Sequence, residues 1–338
     1  MSLYLSDQNK VLFQYESGAY GATMSSGLVA GSGNWIGLVT DFSASEEENV
    51  KPIRYVGTSN RNVAMQINGA KDYEGTITYH PQNFRMFGYA LGSCVDGGSP
   101  SPYSHVISEI NSDDSYAFTS GANHHFPSFS VIESKKGQAD GEHFIRTYKG
   151  CVLDSLSFTA SQGEPVTCEL GYLAQSMTLG SKTTNLLAIY DEDTSRPYIW
   201  SDVQFHLPSG TNIEEVTEVG FTINNSAERR HYDNGSKVVQ NITPLNREYE
   251  LSLTLDANSV WGKTLEEQYW QGGSTFNSMI DCTLVSGTEQ GFIMMSGCKI
   301  TSFESPSPSE GINEYSVTVV PESCNINTDD LLEKYNPW

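Results

Sequence analysis

The sequence has few basic residues for its size. It carries 19 Lys and Arg against 41 Asp and Glu in 338 residues, and its formal net charge at pH 7 is -22. Proteins that bind nucleic acids owe much of their affinity to Lys and Arg side chains, which displace counterions from the phosphates. This composition argues against a conventional DNA-binding protein, although high acidity is also common among proteins in which it serves only solubility.

Long apolar runs and closely spaced cysteines are also missing. No stretch approaches the roughly 20 apolar residues of a membrane span, and the N-terminal segment lacks the basic and apolar regions of a signal peptide. We therefore expect the chain to be made and kept in the cytoplasm. The cysteines are too sparse for a disulfide scaffold and none has a CxxC spacing, so we expect mostly buried free thiols at Cys94, Cys151, Cys168, Cys282, Cys298 and Cys324.

The sequence lacks motifs for catalysis and for cofactor binding. His124 and His125 are adjacent, so on a strand they would point to opposite faces, and no carboxylate or cysteine has a metal-ligand spacing from them. Gly31 and Gly33 lack the lysine and the strand-to-helix context of a phosphate-binding loop. No GxSxG elbow occurs, and carboxylate pairs arise by chance in so acidic a chain. We predict no catalytic residue, no metal and no cofactor.

The sequence does contain many glycines and aromatic residues, and an internal repeat. Its 30 Gly, 18 Tyr and 14 Phe, with charged residues at 18%, are typical of strands and turns. Residues 144–173, FIRTYKGCVLDSLSFTASQGEPVTCELGYL, resemble residues 292–320, FIMMSGCKITSFESPSPSEGINEYSVTVV. Both begin with Phe-Ile, reach a Gly-Cys pair, run through an alternating segment, turn at a glycine and return as a second alternating segment. The same hairpin therefore occurs twice, about 147 residues apart.

The repeat predicts a mainly β protein with two tandem domains, each with a core of its own. In both halves a Tyr-centred strand and a short helical segment precede the hairpin, at residues 72–93 and 248–270. The two halves meet near residues 180–197. The predicted boundaries are 1–34 for an extended N-terminal arm, 35–182 for the first domain with an insert at 93–143, 198–324 for the second domain, and 325–338 for a C-terminal tail with a possible helical turn.

Two long polar segments, at residues 46–62 and 225–241, are rich in turn-forming residues. They predict exposed loops or hairpin tips, and loops of this length tend to be functional. Three Asn-x-Ser/Thr sequons, at Asn224, Asn234 and Asn241, lie at the second segment and support its exposure.

The polar faces of the predicted strands share one chemical character, since they carry short hydroxyls, carboxylates and one amide but no Lys or Arg. An ordinary solvated sheet face would explain this pattern. A surface that must not hold an anion would explain it equally well. The residues are Glu74, Thr76, Thr78, Ser155, Ser157, Thr159, Thr167, Glu169, Thr222, Asn224, Glu250, Ser252, Thr254, Ser316 and Thr318.

Several segments resemble a known family. Residues 150–175, GCVLDSLSFTASQGEPVTCELGYLAQ, look like the C-terminal hairpin of tail tube proteins of long-tailed bacteriophages and archaeal viruses, in which a Gly-Cys or similar opening, a Ser/Thr-rich strand and a Gly-Glu-Pro turn recur. Residues 73–93 resemble the strand and helix before that hairpin, and residues 35–62 the strand and long loop before those. The second half is less similar, because its turn reads PSPSEGIN where the first half has QGEP.

This resemblance implies a fold and an assembly. Each domain would be a β-sandwich or barrel with a flanking short helix, and one sheet of each domain would join its neighbours to close a barrel around a channel. A ring in that family has six domains, so a duplicated chain would form a trimer with pseudo-sixfold symmetry. The rings would stack head to tail into the tail tube of a virion.

The resemblance also implies partners and residue roles. The fifteen polar-face residues would line the lumen, through which viral DNA passes to the host without specific binding. The tape measure protein and the tail terminator and tip proteins would be further partners. The N-terminal arm and the two long segments would bridge one ring to the next, with the candidate residues Glu46, Glu47, Glu48, Arg54, Arg61, Arg229, Arg230 and Asp233.

Two other classes remain as alternatives. A surface or adhesive β-sandwich that binds glycans would explain the Tyr and Trp content and the exposed loops, and saturable sugar binding would favour it. A hydrolase on a β scaffold would explain the carboxylates, but it needs a cleft with perturbed acids. Turnover of a substrate that is lost on changing one Asp or Glu would favour the hydrolase.

Overall fold

The structure, a computed structural model, describes residues 9–16, 35–54, 62–98, 101–110, 127–136, 143–182, 195–207, 211–232, 235–256, 260–284, 289–306, 313–333 and 335. As the composition predicted, the protein is mainly β with two short helical segments. The strands are β1 (Lys10–Tyr15), β2 (Leu38–Ile53), β3 (Met65–His80), β4 (Gly92–Gly97), β5 (Tyr103–Glu109), β6 (Phe129–Lys136), β7 (His143–Ser161), β8 (Thr167–Ala174), β9 (Ser176–Lys182), β10 (Val203–Leu207), β11 (Thr211–Asn212), β12 (Val216–Asn224), β13 (Glu228–Arg230), β14 (Asn241–Thr243), β15 (Glu248–Asp256), β16 (Phe276–Thr283), β17 (Gln290–Glu304), β18 (Glu314–Val320) and β19 (Ser323–Asp330). The α-helices are α1 (Arg85–Leu91) and α2 (Val260–Thr264), which continues as a π-helical segment at Leu265–Trp270, and one 3-10 turn spans Trp200–Asp202.

Strands from both halves form one continuous antiparallel sheet, which we call the polar sheet. Its order is β2–β3–β8–β7–β12–β15–β18–β17. The joint between the halves is the pairing of β7 with β12. A smaller side sheet has the order β1–β6–β7–β9. A back sheet has the order β4–β5–β19–β17–β16–β10–β11, so it also combines strands of both halves.

The repeated Gly-Cys pair marks the point where a long strand passes from one sheet to another. β7 leaves the side sheet for the polar sheet at Gly150, and β17 leaves the back sheet for the polar sheet at Gly297. The φ angles of these glycines are 61° and 64°, a left-handed conformation that glycine adopts without steric strain. The cysteines that follow, Cys151 and Cys298, are fully buried. Glycine is therefore favoured at both corners.

The two halves repeat their strand order and their irregularities. The orders β2–β3–β8–β7 and β12–β15–β18–β17 correspond strand by strand. Within the polar sheet, β2 is out of register with β3 between Val39 and Asp41, and β12 is out of register with β15 between Val216 and Glu218. β7 and β17 show corresponding register shifts, between residues 153 and 155 and between 300 and 302. Bulges are specific local features, so their recurrence aligns the halves residue by residue.

Both bulges at the start of the halves are built in the same way. The extra residue is Thr40 in β2 and Thr217 in β12. Thr40 Oγ1 donates to the Thr78 carbonyl at 3.2 Å, and Thr217 Oγ1 donates to the Thr254 carbonyl at 3.3 Å. The side chain thus bonds the partner strand where the ladder is interrupted.

The buried apolar residues form one main cluster that runs from Phe13 to Tyr335 and includes both halves. The two separate cores expected from the sequence are therefore merged. All six cysteines lie in the interior as free thiols, as predicted. None of the helices in the described part of the chain is long and apolar enough to span a membrane.

Both ends of the chain contribute strands that the sequence did not predict. β1 lies inside the range expected to be an extended arm, yet it pairs with β6 and buries Leu12 and Phe13. Residues 325–330, expected to belong to a tail, form most of β19, which is paired on both sides by β17 and β5. The insert contains β4, β5 and β6, and through β5 it joins the back sheet.

Candidate functional site

One face of the polar sheet carries all fifteen polar-face residues predicted from the sequence. They alternate with buried apolar residues along β3, β7, β8, β12, β15 and β18. Each of the fifteen is exposed or half-buried. Alternation puts successive side chains on opposite faces of a strand, so the apolar residues face the core and the polar ones face outward. These residues therefore form a surface that crosses both halves.

The register aligns these residues into rows across the strands. One row runs Asp41–Thr78–Glu169–Ser157–Thr222–Glu250 over six neighbouring strands. Neighbouring strands are about 4.8 Å apart, so its three carboxylates are separated by roughly 10 and 14 Å of hydroxyl-bearing surface. The row continues through the β7–β12 joint without a break.

A second row contains no charge. It runs Thr167–Thr159–Gly220–Ser252–Thr318–Ser302. A Cβ added at Gly220 would lie 2.4 Å from Ser252 Oγ, so a glycine leaves space for the neighbouring hydroxyl. Gly171 has the same relation to Ser155 Oγ in the first half, at 2.6 Å. Because these side chains are short, they project only a small distance from this face of the sheet.

Acidic residues dominate the charge of this face. Besides the predicted residues it carries Asp41, Glu218 and Glu304, placed by their pairing with Thr78, Thr254 and Ser316. Lys299 is the exposed basic residue on the described part of the same face, at the β17 edge opposite Val320. A sheet face of this composition offers hydroxyls and carboxylates to its surroundings but few cationic groups that could hold a phosphate.

The predicted bridging residues lie in different environments. Glu46, Glu47 and Glu48 belong to β2 and pair with β3, so the acidic run is part of a strand rather than a loop. Arg54 is exposed just after the end of β2, whereas Arg61 and Asp233 lie outside the described residues.

The second long segment folds back onto the first half. Arg229 Nη2 donates to Glu74 Oε2 at 2.8 Å and to the Tyr73 carbonyl at 3.1 Å, and His231 Nε2 lies 3.0 Å from Asp72 Oδ1. The neighbouring Arg230 pairs with Glu228. Arg229 thus neutralises one carboxylate of the polar face within the same chain.

The sequons have no common setting. Asn224 lies on the polar face at the end of β12, and Asn241 lies in β14, where its Nδ2 donates to Thr243 Oγ1 at 3.2 Å. Asn234 lies outside the described residues, as do His124 and His125.

A buried cluster on the core side of the back sheet is the group in the described part of the chain that could hold a metal, through Cys94, Asp96 and His105. Hydrogen bonds already explain why the side chains of this cluster lie together. His105 Nδ1 lies 2.7 Å from Asp96 Oδ1, and Nε2 lies 3.3 Å from Asp330 Oδ1 and 3.0 Å from the Leu332 carbonyl. Burial lowers the pKa of His105, but these carboxylates outweigh it and raise the pKa to about 9. Protonated His105 therefore serves to tie β4, β5 and the C-terminal residues together.

Sequence reasoning predicted strands at both borders of the polar sheet but did not assign their residues to the polar face. Asp41, Ser43 and Ser45 of β2 and Ser302 and Glu304 of β17 belong to the same face. The signal that could have assigned the first of these strands to the face is the tripeptide Val-Thr-Asp at residues 39–41, which returns as Val-Thr-Glu at 216–218.

The chain was compared with known proteins. A family model described as phage tail tube protein matches residues 54–269, which is more than half of the chain. The matched range includes the β7–β12 joint and thus parts of both halves. No curated protein matches the chain.

Proposed function

The chain belongs to the phage tail tube protein family, a structural component of the virion tail, and from this premise we propose that its copies form rings that stack into a tube whose lumen conducts DNA. The observation that carries the proposal is the continuity of the polar face across both halves. A lumen wall must be continuous around the channel. An eight-stranded sheet with one polar and one core-facing side is a segment of such a wall.

The chemistry of the polar face suits a channel for DNA. Each Lys or Arg that contacts a phosphate releases counterions and holds the DNA in place. A wall of hydroxyls and carboxylates offers few such contacts, and its carboxylates repel phosphates within the Debye length of about 8 Å at physiological salt. The face therefore favours passage of DNA over binding. No catalytic function is proposed.

We assign each ring three copies, because the halves act as two equivalent domains. Their shared strand order, their matching bulges and their paired Gly-Cys corners support a duplicated tube domain. Three copies of eight strands give a barrel of 24 strands. With a strand spacing of about 4.8 Å and a tilt of about 40°, its backbone diameter is on the order of 50 Å. Such a barrel leaves space for a DNA duplex.

The distal part of the β2–β3 hairpin is the proposed contact between rings. Its strands extend beyond the core, so that both of its faces are exposed. Met65 and Ile67 are 50% and 46% exposed there, and Ile53 pairs with Met65. Projecting apolar side chains on a paired hairpin are suited to docking on another molecule. In a virion the end rings would meet the tape measure, terminator and tip proteins, after assembly in the host cytoplasm.

Electron microscopy of the purified protein over a concentration series tests this function. We expect trimeric rings that elongate into tubes with a central channel as the concentration rises, and light scattering that increases in parallel. A protein that stays monomeric at every concentration would contradict the proposal.

Accessibility of single cysteines tests which face lines the lumen. In the variant Thr76→Cys, a small maleimide should react in tubes, whereas a maleimide on a long polymer should react with the unassembled protein but not with the interior of a tube. Val95→Cys is the matched control, because Val95 is 62% exposed in the back sheet, away from the polar sheet, and should react with both reagents in both states. Equal labelling of the Thr76→Cys variant by both reagents in tubes would place the polar face outside.

A further inference from the structure

The polar sheet ends in two edges that have no partner strand within the described part of the chain. At one end β2 pairs only with β3, and at the other the C-terminal part of β17 pairs only with β18. Open edges expose backbone donors and acceptors and recruit other strands unless they are covered. A sheet with two free edges and an otherwise regular antiparallel ladder can be continued by a second copy of itself.

The chain contains a template for that contact. At the internal joint, β7 is the last strand of the first set of four, and it pairs with β12, the first strand of the second set. The pairing is antiparallel, with Ser155 opposite Asn224 and Ser157 opposite Thr222. On the core side, Phe158 meets Phe221 and Leu156 meets Ile223, all fully buried. The equivalent contact between copies joins β17 of one copy to β2 of the next.

The alignment of the halves converts this template into a residue-level register. Each residue of β17 corresponds to the residue of β7 that stands 147 positions earlier. This offset is fixed by Gly150 and Gly297 and by the recurring register shift. Each residue of β2 corresponds to the residue of β12 that stands 177 positions later. This offset is fixed by the bulge threonines Thr40 and Thr217. Ser155 and Ser157 then correspond to Ser302 and Glu304, while Asn224 and Thr222 correspond to Glu47 and Ser45.

We propose that β17 of one copy pairs in antiparallel with β2 of a second copy, with Ser302 opposite Glu47 and Glu304 opposite Ser45. This inference rests on the proposed function, since it specifies how neighbouring chains of a ring meet. The core side of the contact would cover Phe42, Ala44 and Phe303, which are half-buried in the single chain and pack at the margin of its core. The polar side would continue the lumen face from one copy to the next.

The joint between copies differs in charge from the internal joint. Glu46 would lie opposite Phe303, and Glu47 and Glu304 would lie on the same face two residues apart. The internal joint has Ile223, Asn224 and Ser157 at the corresponding places, and none of these carries a charge. Because like charges near each other across strands are destabilising, the joint between copies should be the weaker one, and salt should strengthen it by screening.

Disulfide cross-linking tests the register. The double variant Ser45→Cys, Glu304→Cys has its two cysteines directly opposite each other in the proposed pairing. Mild oxidation of rings should therefore give covalent dimers and closed trimers, and a reducing agent should convert both back to single chains. The native cysteines should not interfere, because all are buried and burial raises the pKa values of their thiols. The matched control is Asp41→Cys, Glu304→Cys, which moves the first cysteine four residues along β2 and should cross-link at least tenfold less.

The outcomes separate the register from the function. Rings in the microscope with cross-linking of the control pair, or of neither pair, would overturn the register and leave the tube intact. A wild-type protein that forms no rings would overturn both. Cross-linking of the Ser45–Glu304 pair alone, at a rate that rises with salt as rings form, is the expected result.

Discussion

The two helices occupy the same place in their halves but differ in burial. All seven residues of α1 are buried, and Phe84 and Phe87 are at most 1% exposed. Of α2 and its π-helical continuation, Gly262 and Leu265 are buried, while Val260 is 73% and Trp270 42% exposed. The difference shows how much of each half is covered by the rest of the chain.

Tyr89 of α1 packs on Phe13 and Phe129 of the first half, and further cover of α1 comes from the second half. Gly291 of β17 lies so close to the Phe84 ring that an added Cβ would be 2.1 Å from its Cε2 atom. Asn225 Nδ2 donates to the Ala90 carbonyl at 3.1 Å, and the Phe84 N–H donates to Tyr335 Oη at 2.9 Å. No equivalent set of contacts covers α2 within the described residues. In the proposed ring, we expect the first half of the next copy to supply this cover.

Truncating a side chain in α1 should produce the largest effect on folding. We expect Phe87→Ala to lower the free energy of unfolding by about 3–5 kcal/mol, because the ring is fully buried and leaves a cavity. Urea denaturation at a concentration where the protein is monomeric measures this change. Val260→Ala in α2 is the control and should change it by less than about 0.5 kcal/mol. Similar losses in both variants would remove the contrast between the helices.

The next largest effect should appear in the pH dependence of the free energy of unfolding. It depends on the cluster around His105, which includes Tyr335, the residue that accepts a hydrogen bond from Phe84 beside α1. His105 contacts Asp96 and Asp330, and its ring stacks on Tyr335 at 3.8 Å. Because the folded pKa is raised from 6.5 to about 9, its contribution is complete below pH 6.5 and is lost as the pH rises through 9. The wild-type stability advantage over His105→Gln should fall across this window by on the order of 3 kcal/mol. If the free energies of unfolding of the wild type and of His105→Gln differ by the same amount from pH 6 to about 10, the assignment is refuted.

Substitution of exposed α2 residues should have the smallest effect on the single chain. Trp270→Ser should change the free energy of unfolding by less than about 0.5 kcal/mol. If the neighbouring copy covers α2, the same variant should raise the concentration needed for ring formation about tenfold, since buried aromatic residues are frequent hot spots. Gln268→Ser, also exposed, is the control. An unchanged assembly concentration for Trp270→Ser would show that α2 faces solvent in the ring.

The sequence predicted the elements whose pattern is regular. Strands with one polar and one apolar face, such as β3 and β15, follow the period of two, and the glycine at Gly92 ends α1 with a φ of 100°, as expected for a helix C-terminus. The glycine at the predicted turn of the first repeated hairpin is Gly163, and it has a φ of 84°. These features depend on local chemistry, so a single sequence contains enough information.

The missed strands bury polar residues whose partners are distant in sequence. In β19 the core-facing positions include Thr328 and Asp330, which bond the Gln290 carbonyl and His105. At the end of β1, buried Glu16 accepts from Ser130 Oγ at 2.8 Å and from the Gly150 N–H at 2.6 Å. A hydrophobicity pattern cannot identify such positions, because the polar groups become compatible with burial only when the fold supplies their hydrogen bonds.

The internal β7–β12 joint also changes the entropy of assembly. Bringing two free molecules together removes translational and rotational freedom worth about 4–15 kcal/mol at the standard state, and a tether replaces this loss by a high effective concentration of one partner beside the other. In the proposed ring of three chains, half of the joints between domains would form during folding of the chain. Ring closure then requires three molecules to meet instead of six, so rings can form at lower protein concentration than from single-domain subunits with the same contacts.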